Sequence, residues 1–352
     1  MQKRSGRQEN RINKEELKQR LAQEKQERTT LSFYKYAHIE DVIPFRERFY
    51  KLLADIGTFG RIYVSSEGIN GQMSVPSDKL DSLRTALDTI DFLQGIRLNI
   101  AIEDDGKSFY KLTIKTKDKI LADGLNDETF DVTDRGKHLT AEEFNQLSER
   151  DDSIVVDMRN HYESEVGHFD GAVTPDVETF RESLPIIEEI LEEHKDKHII
   201  MYCTGGIRCE KASAYYKHKG FEQVYQLEGG IIEYARQVKK NQLENKFKGK
   251  NFVFDERLGE RITEEIISRC HQCGRPCDTH VNCSNEACHI LFLQCQTCAT
   301  ENQNCCSIKC KDFNALPAEE QENLKPRMQF NGTKFGKGRY KAAREADNLE
   351  EL

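Results

Sequence analysis

The sequence predicts an α/β multidomain protein with an N-terminal ferredoxin-like α+β domain, a central α/β domain with a mainly parallel sheet, and a C-terminal cysteine-rich metal-binding module. Three observations carry that prediction. Patterns of strand and helix period run in the order strand, helix, strand, strand, helix, strand over residues 29–125, the order of a split βαβ sandwich. From Thr140 onward strands and helices alternate, which implies a parallel sheet. Ten of the twelve cysteines lie between Cys270 and Cys310, which separates their task from that of the remaining pair, Cys203 and Cys209.

A chain of 352 residues exceeds one ordinary core. Residues 1–28 are polar, and "NKEELKQRLAQEKQER" reads as a charged helix or flexible arm without a core. Within 29–125, "TLSFYKYA" has strand composition, "PFRERFYKLLADIG" has helical period, and "GRIYVSSEG" and "INGQMSVP" are short strands. Gly68, Asn70 and Gly71 are expected in the turn between those two strands, where glycine supplies positive φ. "SDKLDSLRTALDTI" is a helix with Ser77 as its expected N-cap, followed by strands in "RLNIAIEDD" and "FYKLTIKTK".

The second domain is expected over 138–240. "TAEEFNQL" is a capped helix, "SIVVDMRN" an apolar strand, "ESLPIIEEILEEH" a helix, "KHIIMY" a buried strand, "CEKASAYYKHKG" a helix closed by Gly220, and "EQVYQLEGGI" a strand with a glycine turn. Ligands of such sheets bind at the carboxyl ends of strands, where Cys203 falls. A connector, 241–265, has apolar Phe252, Val253 and Phe254 to pack on a neighbour. The cysteine-rich module covers 266–315, and 316–352 reads as a basic flexible tail. In that tail Lys325, Arg327, Lys334, Lys337, Arg339, Lys341 and Arg344 are interleaved with Phe330, Phe335 and Tyr340, a composition able to lie on phosphates and stack on bases.

The net charge of -9 argues against general nucleic-acid binding by the whole chain. Mean hydropathy is -0.73 and no apolar run reaches the roughly 18 residues that span a bilayer. No membrane partner is expected. No secretory signal is visible either, so a cytoplasmic protein with reduced or metal-bound thiols is expected.

The stretch "MYCTGGIRCEKASA" places a tight glycine loop between a buried strand and a helix starting near Arg208. Amide hydrogens of Thr204, Gly205, Gly206, Ile207 and Arg208 form an expected anion or substrate cradle at the helix N-terminus. Cys203, at the start of an exposed, constrained loop, is expected as a low-pKa thiolate. Cys209 lies one residue past the loop and reads as a helix-packing residue, with a resolving thiol as the alternative. Cys203 to Arg208 is Cys-x4-Arg, one residue shorter than the Cys-x5-Arg phosphate loop of cysteine phosphatases, and it suits the smaller terminal sulfur of a persulfide.

Cys270-x2-Cys273 and Cys295-x2-Cys298 have the spacing of a tetrahedral zinc site. Cys277, Cys283, Cys288, Cys305, Cys306 and Cys310, with His271, His280 and His289, offer ligands for a second. Free thiols or iron–sulfur ligation are the alternatives. The chain carries no nucleotide-cofactor fingerprint and no haem or facial-triad motif. His161, Glu163 and His168 are expected to be surface polar residues rather than a metal set.

From His138 to Val238 the chain resembles a rhodanese domain: "VVDMRN", "EVGHFDGAV", "YCTGGIRC" and "LEGGI" occur in the family's order. The resemblance implies a persulfide-carrying role for Cys203 and a fold-organising one for Asp157, Arg159 and His168. Over 28–315, "SFYKYAHI", "GRIYVSSEGINGQMSVP", "CTGGIRCEKASA" and "GKNFVFDERLGERI" together resemble the bacterial oxygen-dependent tRNA uridine hydroxylase family. That resemblance implies an oxidoreductase that installs 5-hydroxyuridine at the wobble position. It implies tRNA, through its anticodon loop, as partner and molecular oxygen as co-substrate, with the reaction dependent on Cys203. The loop alone leaves a sulfurtransferase open as the alternative, with a non-catalytic module as a third reading.

Overall fold

A computed structural model describes residues 14–24, 26–332 and 340. Contacts divide the chain into two compact units, 1–120 and 121–352. The expected roles of Lys334, Phe335, Lys337, Arg339, Lys341 and Arg344 fall outside the described residues, as does the arm before residue 14.

The first unit contains α1 (Lys14–Gln23), β1 (Arg28–Tyr36), α2 (Val42–Ile56), β2 (Phe59–Ser65), β3 (Gly68–Pro76), α3 (Leu80–Asp88), β4 (Asn99–Ile100) and β5 (Leu112–Thr116). The sheet order is β4-β1-β3-β2-β5, with β1 and β2 both antiparallel to β3, and β5 parallel to β2. This is the expected split βαβ arrangement, extended by one edge strand. Phe45, Phe49 and Leu53 of α2 and Leu83 and Leu87 of α3 recur at helical spacing and share one core with Leu31, Phe33, Ile62, Val64 and Met73 of the sheet.

Three local expectations change here. Gly68, Asn70 and Gly71 lie inside β3 rather than in the turn, which Ser66 and Glu67 form. Gly71 is needed because a Cβ there would stand 2.8 Å from the Phe33 ring. Ser77 opens a short 3-10 turn instead of capping α3, and its hydroxyl pairs with Thr29 Oγ1 at 2.9 Å. The N-terminal arm is not wholly solvated, since α1 buries Leu21.

The second unit begins with β6 (Lys137–Leu139), α4 (Ala141–Ser148), β7 (Ser153–Asp157), α5 (His161–Ser164), β8 (Gly167–Phe169), α6 (Phe180–Leu191) and β9 (His198–Tyr202). It continues through α7 (Ile207–His218), β10 (Gln223–Leu227) and α8 (Gly230–Asn241). Strands β6, β10, β9 and β7 form a four-stranded sheet in that order, parallel throughout. Alternation along β9 decides which face each residue serves. Ile199 and Met201 join the core of α6 and α7, Ile200 and Tyr202 that of α4 and α8, and Cys203 continues the first face. Helix α4 is capped by Thr140, whose side chain accepts from the Glu143 amide in a full capping box. Helix α8 follows the glycine pair that reads in sequence only as a turn.

The connector becomes β11 (Phe247–Asn251) and β12 (Glu260–Arg261), and β11 pairs antiparallel with β8. Phe252 and Val253 are buried. The cysteine-rich region holds the hairpin β13 (His280–Asn282) and β14 (Leu291–Leu293), then α9 (Gln296–Glu301) and α10 (Ile308–Asn314). The segment expected as a flexible tail is ordered in part. It forms α11 (Ala318–Leu324), begun by Pro317 with Glu319 and Glu320 favourable in its first turn. Phe330 packs edge-on against Phe313 at 5.0 Å. Among the described residues no helix is long and apolar enough to cross a membrane.

Candidate active site

The loop after β9 closes around one sulfur atom. Gly206, at φ 103 and immediately before α7, donates its amide to Cys203 Sγ at 3.1 Å. The amides of Arg208 and Cys209 and the Cys209 thiol also hydrogen-bond this sulfur. Burial pushes the Cys203 thiol up, but the Cys209 thiol, the Arg208 charge and the two amides outweigh it and bring the pKa down to about 6. Cys209 moves the other way, because burial and its bond to the Cys203 sulfur keep it protonated far above the ordinary thiol range. One thiolate and one thiol therefore face each other at neutral pH.

Cys203 is 1% exposed, so the sulfur sits under the loop rather than on an exposed one. The period of β9 directs its side chain inward, toward Cys209 and the core. Cys209 packs as expected of a helix residue and also touches the Cys203 sulfur, the contact that the resolving-thiol alternative requires.

Arg208 does not present its guanidinium to a substrate anion. Its Nη1 and Nη2 meet Glu163 Oε2 and Oε1 at 2.7 and 2.8 Å, and Thr204 Oγ1 lies 3.5 Å from Nη2. Glu163 is fully buried, which corrects its expected surface position. Burial raises the Glu163 pKa, but the charge and hydrogen bonds of Arg208 and the charge of Arg159 hold it below the usual carboxylate range. The signal for Glu163 is present in the sequence as Asn160-x-x-Glu163, the spacing of a capping box. Glu163 Oε2 indeed accepts from the Asn160 amide at 3.1 Å.

Beneath the loop, Tyr202 donates to Asp157 Oδ2 at 2.8 Å, and Arg159 Nη2 meets the same oxygen at 2.6 Å and Gly167 O at 2.6 Å. Asp157, Arg159 and Tyr202 are all buried, so this network fixes the strand ends. On the other side, the amides of Ile231 and Ile232 at the start of α8 donate to Cys203 O at 3.0 Å and Thr204 O at 3.3 Å. Gly230 makes this approach possible, since a Cβ there would lie 2.4 Å from Cys203 O.

The cysteine-rich end gathers eight of its ten thiols into two tetrads. Cys270, Cys273, Cys295 and Cys298 form one, and Cys283, Cys288, Cys306 and Cys310 the other, each with sulfurs within 4.8 Å of one another. Four thiols so placed fit one tetrahedral ion. Cys277 and Cys305, offered by the sequence for the second site, stay outside both. Cys277 Sγ accepts from the Thr279 amide instead. Gly332 N, from the segment expected as a flexible tail, donates to Cys288 Sγ at 3.4 Å.

Residues 28–120 match the family described as UPF0176 acylphosphatase like domain, residues 140–237 the rhodanese-like domain, and residues 248–311 the family described as rhodanase C-terminal. A protein of Photorhabdus laumondii named tRNA uridine(34) hydroxylase is 52% identical over 333 residues, 94% of this chain and 95% of its own. One of Pectobacterium carotovorum with the same name is 53% identical over 327 residues, 93% of this chain and 92% of its own. One of Enterobacter, again so named, is 52% identical over 331 residues, 94% of this chain and 95% of its own.

Proposed function

The chain belongs to the tRNA uridine(34) hydroxylase family, and we propose that it is an oxidoreductase converting uridine 34 of tRNA to 5-hydroxyuridine with molecular oxygen as co-substrate and Cys203 as nucleophile. The observation that carries the role of Cys203 is the set of donors aimed at its buried sulfur, the Gly206 amide at 3.1 Å among them. With a pKa of about 6 it is a thiolate at neutral pH, held by amides and a neighbouring thiol.

In this reading the thiolate adds to C6 of the uracil ring, forming a C–S bond and moving the electron pair onto C5 as an enolate. C5 takes one atom of oxygen. The second leaves as water, on uptake of two electrons and two protons from an external two-electron reductant. Loss of the C5 proton and breakage of the C–S bond restore the ring and the thiolate. Glu163 and Arg208 position the loop, which has to give way for a base to reach a sulfur so buried. Cys270, Cys273, Cys295 and Cys298, and likewise Cys283, Cys288, Cys306 and Cys310, would each hold a zinc ion that ties the C-terminal module together. A substrate of this kind would be met in the cytoplasm and bound at the anticodon loop, whose splayed bases are the accessible part of the RNA.

Near full-length kinship with hydroxylases favours this reading over persulfide transfer from Cys203. Incubation with unmodified tRNA, a reductant and heavy-isotope oxygen gas tests it: label in the nucleoside at position 34 is expected. Unlabelled tRNA, or a thiolated product formed only with a sulfur donor, would refute it.

A further inference from the structure

In the first unit α2 and α3 cover one face of the sheet, packing on Leu31, Phe33, Ile62, Val64 and Met73. Alternation turns Tyr34, Asn70, Tyr63 and Lys115 to the opposite face, where the register lines them up across β1, β3, β2 and β5. Gln72, Arg61 and Thr113 make the adjacent row. None of the five strands contains an aspartate or a glutamate. In a chain of net charge -9 this gives the face a sign of its own.

Both ends of this face are occupied. At one end the buried Arg28 guanidinium donates to Gly57 O at 2.7 Å and Ser74 O at 3.0 Å, and Thr30 Oγ1 donates to Asp104 Oδ1 at 2.9 Å. At the other, Asn70 Nδ2 donates to Ile120 O at 3.3 Å. Between them, along β2 and β5, Arg61, Lys115 and Lys117 are exposed while Tyr63 and Gln72 are half-buried. Lys117 Nζ stands 5.8 Å from the centre of the Tyr63 ring, so a cation and an aromatic share one spot. Among the described residues no carboxylate pairs with Arg61, Lys115 or Lys117.

Three cations without acidic partners, beside an aromatic ring, suit a partner that is anionic and also presents flat π faces. A nucleic-acid strand has both, phosphates for the cations and unpaired bases for the ring. An acidic peptide supplies only the first. We propose that this face binds the RNA strand of the substrate, with phosphates on Arg61, Lys115 and Lys117, an unpaired base on the Tyr63 ring and the Gln72 amide on a base edge. A local basic strip of this kind reconciles RNA binding with the acidity of the whole chain. The inference rests on the hydroxylase reading for tRNA as the RNA.

Fluorescence anisotropy of labelled, unmodified tRNA titrated with the full chain at several salt concentrations tests it. The triple variant Arg61→Gln, Lys115→Gln, Lys117→Gln is expected to bind about tenfold or more weakly and to flatten the slope of log affinity against log salt by about two. Tyr63→Ala is expected to lose about tenfold with the slope unchanged, and Tyr63→Phe to bind as wild type does. The charge control Arg48→Gln, Lys51→Gln, at exposed positions of α2, is expected to stay within about twofold of wild type. Circular dichroism and the alkylation rate of Cys203 confirm that the variants fold. A wild type that binds no tRNA overturns this inference together with the hydroxylase reading. A wild type that binds tRNA, with either the triple variant or Tyr63→Ala equally tight, or with the control weakened as much as the triple variant, overturns this inference alone.

Discussion

The carboxylate of Glu163 and the guanidinium of Arg208 meet twice, at 2.7 and 2.8 Å, with both side chains buried. One charge of this pair belongs to α7 just after the Cys203 loop, the other to α5, so the contact fastens the loop to a second element. Removing either partner strands a buried charge, which typically costs about 3–5 kcal/mol. Glu163→Ala is therefore expected to lower the denaturation midpoint strongly. A double replacement by apolar residues of similar volume is expected to be milder than either single change, and urea unfolding of the three variants checks both.

The Cys203 thiolate gives a pH signature. The protonated form prevails below a pKa of about 6 and the thiolate above it. Alkylation of Cys203 by iodoacetamide, followed by intact-protein mass, is expected to rise through pH 6 and level off. Cys209 is expected to stay unlabelled in the folded protein. Cys209→Ala removes a donor to the thiolate and should move the midpoint to higher pH. An unmoved midpoint would mean that the Cys209 thiol contributes nothing to the ionisation.

Gly230 tests the loop without touching its chemistry. An added Cβ would stand 2.4 Å from Cys203 O, 2.6 Å from Thr204 O and 2.7 Å from Gly205 N, at φ +67. Gly230→Ala is expected to displace the loop and reduce turnover about a hundredfold, with folding retained. Steady-state rates alongside thermal melts check this.

The thiolate tetrads predict a metal count. Two zinc ions per chain are expected in the thiolate sites, one falling away in Cys273→Ser and the other in Cys288→Ser. Cys277→Ser and Cys305→Ser should leave the content unchanged. Elemental analysis of the purified variants distinguishes these outcomes.

Local pattern made much of this legible. The first tetrad was readable because its two Cys-x2-Cys pairs are short-range features, whereas the second joins Cys283 and Cys288 to Cys306 and Cys310 with no such spacing. Selecting four from nine candidates, six cysteines and three histidines, depended on tertiary folding. The parallel sheet and the Cys203 loop followed from strand, glycine and helix signals. The burial of the Cys203 sulfur and the meeting of Glu163 with Arg208 did not, because both depend on how α5 and α7 pack. The alternation within β3 hid its glycines, which serve close approach to Phe33 and Lys35 rather than a turn.

The most direct measurement is mass spectrometry of tRNA nucleosides from a strain lacking this protein, complemented with wild type or with Cys203→Ala. 5-Hydroxyuridine and its derivatives are expected to be lost in the deletion and restored by wild type alone. Restoration by Cys203→Ala, or unchanged hydroxyuridine with a fall in thiolated nucleosides, would contradict the assignment of Cys203 as the hydroxylation nucleophile.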